Sequence, residues 1–432
     1  MFALLPFAGC LVADDDDADT GNQTGNESES GGSGPSTSSP STTVDDSSSG
    51  GGSVDSSGSE SGEATSADST GDETGNQPST CVDATLFMGN PYFGGDLEGW
   101  NPEGQGVLED PPLRSRHLAG LPEGRVAVET QFELWGVESG TMHRIAGLED
   151  DPDDTRYEPN GACADVRFLK AAGVAGLPDG RIVVADTRGN GLVELRDPFG
   201  DCTAAAIAGN PSTTLDVDVP GTGAAEPGDI DGPGAMARFE GVERPVVDED
   251  GNVYVVDTVN HKIKKVADDA DRTVTTLFDA PDALVMAMTA FDGTLYASGT
   301  QTGDDFVWAI DTTSGEQTAL VMGDFPYDEL DGAGSATPYG LSNDGADLLI
   351  ASSQGYILRM STAGDPLGIL AGRGDVFDYP EDLDLSMPIA LDQLPIRSYA
   401  TAQADLVPFG GNFLFTGNAN GVGFHVWSIN CE

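Results

Sequence analysis

Four closely spaced carboxylates suggest a cation site in this sequence. Asp150, Asp151, Asp153 and Asp154 lie within five residues of one another. Calcium takes six to eight oxygen ligands, and carboxylates commonly provide them. The run lacks the spaced Asp-x-Asp-x-Asp-Gly order of dedicated calcium loops, so the signal is weak. Calcium is therefore the one cofactor that the sequence suggests, and no cofactor is predicted with certainty.

Other chemistry-bearing residues are scattered. The four histidines are His117, His143, His261 and His425, and no Ser/His/Asp motif accompanies any of them. The five cysteines include no Cys-x-x-Cys pair, which argues against a zinc site. The sequence thus shows no catalytic constellation, and we expect a protein that is not an enzyme.

Residues 231–277 contain one complete four-stranded unit. Asp250 and Gly251 form a turn before a β-branched strand at residues 253–256. Asp257, Thr258 and Asn260 follow, with short polar side chains that can bond backbone N–H groups left unpaired by the turn. This order, Gly-Asn-Val-Tyr-Val then Asp-Thr-x-Asn-His-x-Ile, closely resembles the NHL repeat. The resemblance implies a blade of a β-propeller, and a single blade cannot be stable alone.

The turn before the second strand recurs six times. Its positions are Gly124, Gly180, Gly251, Gly293, Gly345 and Gly411. Only the second and third units match the NHL repeat well, and no seventh unit is present. We therefore predict an all-β fold, a six-bladed NHL-like β-propeller, over residues 81–432.

The phase of the repeat predicts how the ring closes. The region opens at Thr85 with what looks like a fourth strand and ends with what looks like a third strand. The N-terminal strand should therefore complete the last blade, which removes a free sheet edge. In an ordinary blade a hairpin joins the third strand to the fourth. In the last blade this hairpin is interrupted, and Cys81 and Cys431 stand at its two ends, so they should form one disulfide. Cys163 and Cys202 are the remaining pair, and free buried thiols are the alternative.

The N-terminal segment indicates membrane attachment. Residues 1–10, MFALLPFAGC, resemble the end of a bacterial lipoprotein signal with the lipidated residue at Cys10, although Phe7 stands where Leu is usual. Residues 11–80 are rich in Asp, Ser, Gly and Thr and hold 15 acidic and no basic residues. Such a segment should be a disordered linker. We expect a lipid-anchored monomer in the cell envelope, at the outer membrane or surface of a Gram-negative bacterium.

The charge narrows the class of partner. The chain carries a net charge of −54 at pH 7, and residues 81–432 account for about −39 of it. Nucleic acids and anionic membrane surfaces are poor partners for such a field, whereas cationic partners are favoured. The alternative is a solvated acidic surface suited to solubility or a salty habitat.

The connections that enter the blades should gather on one face and form the binding surface. They are long and rich in acidic and aromatic residues: Tyr92, Phe93, Trp100, Asp216, Asp218, Asp229, Asp231, Asp375, Asp378, Tyr379, Glu381, Asp382, Asp384 and Tyr399. We therefore expect a non-enzymatic binding propeller for a protein or glycan ligand. The alternative is a metal-dependent hydrolase or lactonase; the six-bladed enzymes that this chain resembles place Glu, Asn and Asp ligands at the channel mouth.

Overall fold

The fold was analysed in a computed structural model of the chain. It describes residues 80–89, 105–107, 117–130, 132–147, 158–209, 226–325, 337–372, 374, 387–394, 396, 405–419 and 423–431. The predicted lipidation site, linker and calcium cluster lie outside these ranges. No helix among the described residues is long and apolar enough to cross a membrane.

Among the residues that the structure describes, twenty-seven strands form six antiparallel sheets, which are the six blades. The strand β1 (Cys81–Gly89) belongs to blade 6. Blade 1 contains β2 (Gln105–Val107), β3 (His117–Leu121), β4 (Arg125–Glu129), β5 (Glu133–Glu138) and β6 (Thr141–Gly147). Blade 2 contains β7 (Gly161–Ala162), β8 (Ala171–Gly176), β9 (Ile182–Asp186), β10 (Gly191–Arg196) and β11 (Thr203–Ala208). Blade 3 contains β12 (Val242–Val247), β13 (Val253–Asp257), β14 (Lys262–Val266) and β15 (Val274–Asp279).

The second half of the ring follows the same order. Blade 4 contains β16 (Ala283–Phe291), β17 (Thr294–Gln301), β18 (Asp304–Asp311) and β19 (Gln317–Met322). Blade 5 contains β20 (Pro338–Asn343), β21 (Asp347–Ser352), β22 (Tyr356–Ser361) and β23 (Pro366–Gly372). Blade 6 contains β24 (Ile389–Ala390), β25 (Leu406–Phe409), β26 (Asn412–Ala419) and β27 (Gly423–Cys431), together with β1.

The blades form a closed ring. Each inner strand, the first of its blade, contacts the inner strands of both neighbours, in the cycle β3, β8, β12, β16, β20, β25 and back to β3. Six apolar clusters fill the six junctions between blades. The second strands are buried along nearly their whole length, because both of their faces are covered by a neighbouring blade. In β9, for example, all five residues are buried.

The predicted closure of the ring is confirmed. The strand β1 lies between β27 and β24 and so supplies the fourth strand of blade 6. Cys81 and Cys431 are paired across β1 and β27 and are joined by a disulfide. The second predicted disulfide, Cys163 to Cys202, is also present, and it ties the connection entering blade 2 to the outer hairpin of that blade.

The carboxylates at the ends of β9 and β13 accept hydrogen bonds from the connection that enters the blade as well as from the following turn. Asp186 accepts hydrogen bonds from Gly189 N–H in its turn but also from Leu169 and Lys170 N–H in the entering connection. Asp257 likewise accepts from Glu240 N–H. These carboxylates therefore hold the connection against the blade, because the connection has backbone donors that no strand pairs.

Candidate functional site

The inner strands surround a central channel with a cavity of about 320 Å³. All six inner strands enter the channel from the same face, since each follows the connection from the preceding blade. Three charged residues stand at this end, which we call the channel mouth. His117 is the first residue of β3, Asp405 directly precedes β25, and Arg244 lies near the start of β12.

Asp405 joins blade 6 to blade 1 at the mouth. Its Oδ1 lies 3.2 Å from His117 Nδ1, and its Oδ2 accepts a 2.5 Å hydrogen bond from the backbone N–H of Leu118. Its own backbone N–H donates to Thr416 Oγ1 at 2.8 Å. The side chain of His117 is 7% exposed and that of Asp405 is 18% exposed. The pair is therefore held in one orientation by two blades before any ligand arrives.

The mouth keeps His117 readily protonated. Burial lowers the pKa of His117, but the Asp405 carboxylate, with which it is hydrogen-bonded, and the nearby Glu129 carboxylate raise it more. The net result is a pKa above the ordinary value of 6.5. Glu129 reaches the imidazole because His117 and Glu129 are opposite each other in the pairing of β3 with β4. Nearby carboxylates raise the pKa because they attract the imidazolium and so favour the protonated form of the ring.

Arg244 crosses the mouth from blade 3 to blade 4. The pairing of β12 with β13 is irregular between Glu243 and Val246, and Arg244 adopts a left-handed φ of 54° within that irregularity. Its Nη1 donates a hydrogen bond to the backbone carbonyl of Met286. Burial lowers the pKa of Arg244, and the carboxylates of Glu243 and Asp405 oppose that shift. An irregular strand that turns a side chain toward a site is a common use of a bulge.

The opposite end of the channel has a different character. There the turns between first and second strands enclose a cavity of about 560 Å³. Its carboxylates hold neighbouring groups: Asp248 accepts hydrogen bonds from Asn252 and Tyr254, and Asp344 pairs with Arg359. These contacts stabilise the turns, so the channel mouth is the stronger candidate for ligand binding.

The predicted site residues divide into two groups. The disulfides Cys81–Cys431 and Cys163–Cys202 are formed, as predicted. The lipidation residue Cys10 and the calcium candidates Asp150, Asp151, Asp153 and Asp154 lie outside the described residues. Among the described residues, no group of three or more His, Cys, Asp or Glu side chains could hold a metal ion.

The described part of the acidic loop face is neutralised internally. Asp229 Oδ1 lies 2.8 Å from Lys264 Nζ, and Asp229 Oδ2 lies 2.5 Å from Lys262 Nζ. Asp231 lies 3.4 Å from Lys264 and accepts a hydrogen bond from Thr276 N–H. These two carboxylates stabilise blade 3 and its entering connection. The prediction of an acidic binding face therefore rests on connections outside the described ranges.

The other histidines lie apart from the mouth. The ring of His143 packs edge-on against Phe199, with 5.2 Å between ring centroids. His261 occupies a left-handed turn position with φ 54°, and Asn190 occupies a similar position with φ 50°. His425 lies in β27, where its backbone is paired with Gly89 of β1 and Gly417 of β26. Of the histidines whose side chains the structure describes, His117 is the one that lies at the channel.

No motif in the sequence contains the mouth residues. Arg244, Asp405 and Glu129 were not candidates, and His117 was one scattered histidine among four. One signal was available: a residue at the beginning of any inner strand of a propeller points to the channel entrance. His117 and Asp405 both stand at that position.

Comparison with known proteins supports the fold. No protein-family model matches this chain, and no curated protein matches its sequence. An auxiliary nutrient-binding protein from Bacteroides ovatus is similar in structure, with 11% identity, a TM-score of 0.50, and coverage of 82% of this chain and 77% of that one. A protein of unknown function from Bacteroides thetaiotaomicron has 12% identity, a TM-score of 0.50, and coverage of 81% and 76%.

A third solved structure is a gluconolactonase from Xanthomonas campestris. It has 12% identity and a TM-score of 0.45, and the match covers 83% of this chain and 99% of that chain. At these identities the similarity concerns the fold alone. The six sheets and the closed cycle of contacts between their inner strands give the chain the fold of a six-bladed β-propeller.

Proposed function

We propose that this protein is a non-enzymatic binding propeller that recognises a protein or glycan ligand at the face containing the channel mouth. The cavity behind the mouth carries this proposal. Its volume of about 320 Å³ matches a small group, such as one sugar ring or one side chain of a larger ligand. His117, Asp405 and Arg244 offer hydrogen-bond donors and acceptors at its entrance.

The proposal includes attachment to the cell envelope. Cys10 would carry the lipid, and residues 11–80 would hold the propeller away from an outer membrane or cell surface. The net charge favours cationic partners. Labelling cells with a palmitate analogue tests the anchor: the wild-type chain should incorporate it and the Cys10→Ala variant should not.

Binding is tested by applying the full chain to glycan and protein arrays and measuring the affinity of each positive ligand. Arg244→Gln should weaken binding about tenfold, because it removes a guanidinium from the mouth. Arg188→Gln is the matched control, since Arg188 is exposed in a turn on the same face. Thermal melts establish that both variants are folded. Equal binding by a folded Arg244→Gln variant would place the ligand elsewhere.

A metal-dependent hydrolase or lactonase is the second candidate. One observation favours chemistry at the mouth: an imidazole oriented by a carboxylate is the usual arrangement of a general base. Lactone hydrolysis should be measured with and without divalent ions, for the wild type and for His117→Gln. Turnover that depends on both His117 and the ion would favour this function over binding alone.

A further inference from the structure

Among the described residues, three of the six blades have an additional strand on their outer edge. The strands β2, β7 and β24 pair with the outer strands β6, β11 and β1 of their own blades. In blade 3 a single bridge, Gly232 to Val274, covers the outer strand β15. Each of these covering segments comes from the connection that enters the blade. An outer edge that is covered cannot pair with another chain.

Blade 4 differs because its entering connection is too short to cover the edge. The connection consists of residues 280–282, all of which the structure describes. Within the described ranges, the outer strand β19 pairs only with β18. Thr318 and Ala319 on this strand are exposed. Blade 4 therefore presents a row of backbone donors and acceptors to solvent.

The open edge lacks the usual protection against pairing. The sequence of β19, Gln-Thr-Ala-Leu-Val-Met, contains neither Pro nor Lys. Its register shift at Leu320 recurs in the outer pair of all six blades. Since β6 carries the same irregularity and still pairs with β2, the irregularity does not prevent pairing.

The covered blades also show where an added strand would lie. The strand β2 pairs with residues 141–143, β7 with residues 203–204, and β24 with residues 83–84. In each case the first half of the outer strand is used. The equivalent part of β19 is residues 317–319, beside the hairpin that contains Glu316.

Charge identifies the chemistry of the added strand. Residues 273–358 contain 13 Asp and Glu and no Lys or Arg. Exposed Glu316 and Asp324 stand near the two ends of β19. A second copy of this chain would bring the same negative charge to the edge, which disfavours self-pairing. A basic segment would be attracted to it.

We propose that the outer edge of blade 4 binds an extended, lysine- or arginine-containing segment of a partner protein as a fifth strand. Backbone hydrogen bonds to residues 317–319 provide the affinity, and the flanking carboxylates select basic side chains. This surface lies on the outer rim of the ring and does not involve the channel mouth. It is therefore independent of the proposed function.

The test uses the full chain and the blocked peptide acetyl-KVKTKVKT-amide. Hydrogen exchange is measured residue by residue with increasing peptide, and affinity is measured by titration. Among the amides of residues 317–319, those that do not already bond to β18 should become protected. The acidic analogue acetyl-EVETEVET-amide should not bind. A basic peptide N-methylated at alternate residues should lose protection, because it keeps the charge but lacks the backbone donors.

Thr318→Lys should weaken peptide binding about tenfold, because it places a like charge at the open edge. Thr203→Lys adds the same net charge on β11, an exposed position of a covered edge, and should change affinity less than about twofold. Equal binding of the N-methylated peptide, or protection confined to other residues, would overturn the proposal. Protection of β19 that rises with protein concentration without peptide would indicate self-pairing and would also overturn it.

Discussion

The interaction of Asp405 with His117 links two blades through a titrating group. The His117 pKa lies above 6.5, so protonated His117 stabilises the fold below pH 6.5, and this contribution is lost as pH rises through the folded-state pKa. Asp405→Asn removes the carboxylate that raises the pKa. We therefore expect the substitution to lower the free energy of unfolding more at pH 5.5 than at pH 9.

Chemical unfolding across this pH range measures the effect, and NMR titration of His117 in both proteins should show a lower pKa in the variant. Asp347→Asn is the matched control, because Asp347 pairs with the guanidinium of Arg359, 2.9 Å away, and not with an imidazole. A pH-independent difference for Asp405→Asn would show that the carboxylate acts only as a neutral acceptor.

Calcium binding by Asp150, Asp151, Asp153 and Asp154 stays a prediction at the residue scale. A site that binds calcium only in the folded state would raise stability by about 2.7 kcal/mol at a hundredfold excess over Kd. Thermal melts with calcium, magnesium or chelator at matched ionic strength measure this. The combined Asp150→Asn and Asp151→Asn variant should lose the increase in melting temperature that calcium causes. A shift no larger than that from matched ionic strength would mean that the carboxylates are simply solvated.

At the scale of single elements, blade 3 depends on one buried lysine. Lys264 in β14 is fully buried, and its Nζ lies 2.8 Å from Asp229, 3.3 Å from Asp257 and 3.4 Å from Asp231. Lys264→Met would leave the buried Asp257 without its cation, and removing one partner of a buried ion pair costs about 3–5 kcal/mol.

The neighbouring residue offers a matched control for this prediction. Lys265 lies on the same strand with its Nζ 5.5 Å from the Tyr254 ring centroid, so Lys265→Met should lower stability by less than about 1 kcal/mol. Urea unfolding at pH 7 measures both variants. Similar values for the two would show that Lys264 contributes packing and not charge.

The inner strands of blades 6, 1 and 2 approach closely because their facing residues are small. A Cβ on Gly120 of β3 would overlap the Pro408 carbonyl oxygen, and one on Gly176 of β8 would lie 2.6 Å from the Gly120 carbonyl oxygen. Overpacking of this kind typically costs about 1–3 kcal/mol. Gly120→Ala should therefore destabilise the ring by about that amount.

Gly228→Ala is a suitable comparison for Gly120→Ala. Its added methyl group would meet only Arg238, at 3.3 Å, so an effect below about 0.5 kcal/mol is expected. Thermal unfolding provides the measurement. If Gly120→Ala were as stable as this control, the blades would have room to separate at the channel.

At the scale of the whole molecule, one disulfide closes the ring. Cys81–Cys431 spans 350 residues, whereas Cys163–Cys202 spans 39. In the chain-entropy model these bonds stabilise the fold by about 6 and about 4 kcal/mol respectively. Replacing both cysteines of the first pair by Ala should therefore be the more destabilising change.

Chemical unfolding of the two double variants tests this order. Hydrogen exchange of the β1 backbone amides reports separately on the local stability of that strand. Loss of Cys81–Cys431 should increase exchange in β1, while loss of Cys163–Cys202 should leave it unchanged. The opposite order would mean that the hydrogen bonds of β1 with β27 are sufficient to close the ring.

The sequence by itself determined the architecture. Turn chemistry at Gly180 and Gly251 and the buried strands that follow are local properties, so six repeats indicated six blades. The phase of those repeats placed β1 in blade 6 and put Cys81 beside Cys431. The disulfide Cys81–Cys431 followed from that phase, because the interrupted hairpin of blade 6 has a cysteine at each end, and Cys163 and Cys202 were then the remaining pair.

Only the tertiary structure decided which side chains meet at the channel. His117 and Asp405 are 288 residues apart, and their positions at the beginnings of two inner strands do not show that they contact each other. The irregular pairing that directs Arg244 toward Met286 depends on the neighbouring blade. The open edge of β19 likewise depends on whether a connection folds back onto its own blade. These features arise from closing the ring, which brings together residues that the local sequence cannot relate.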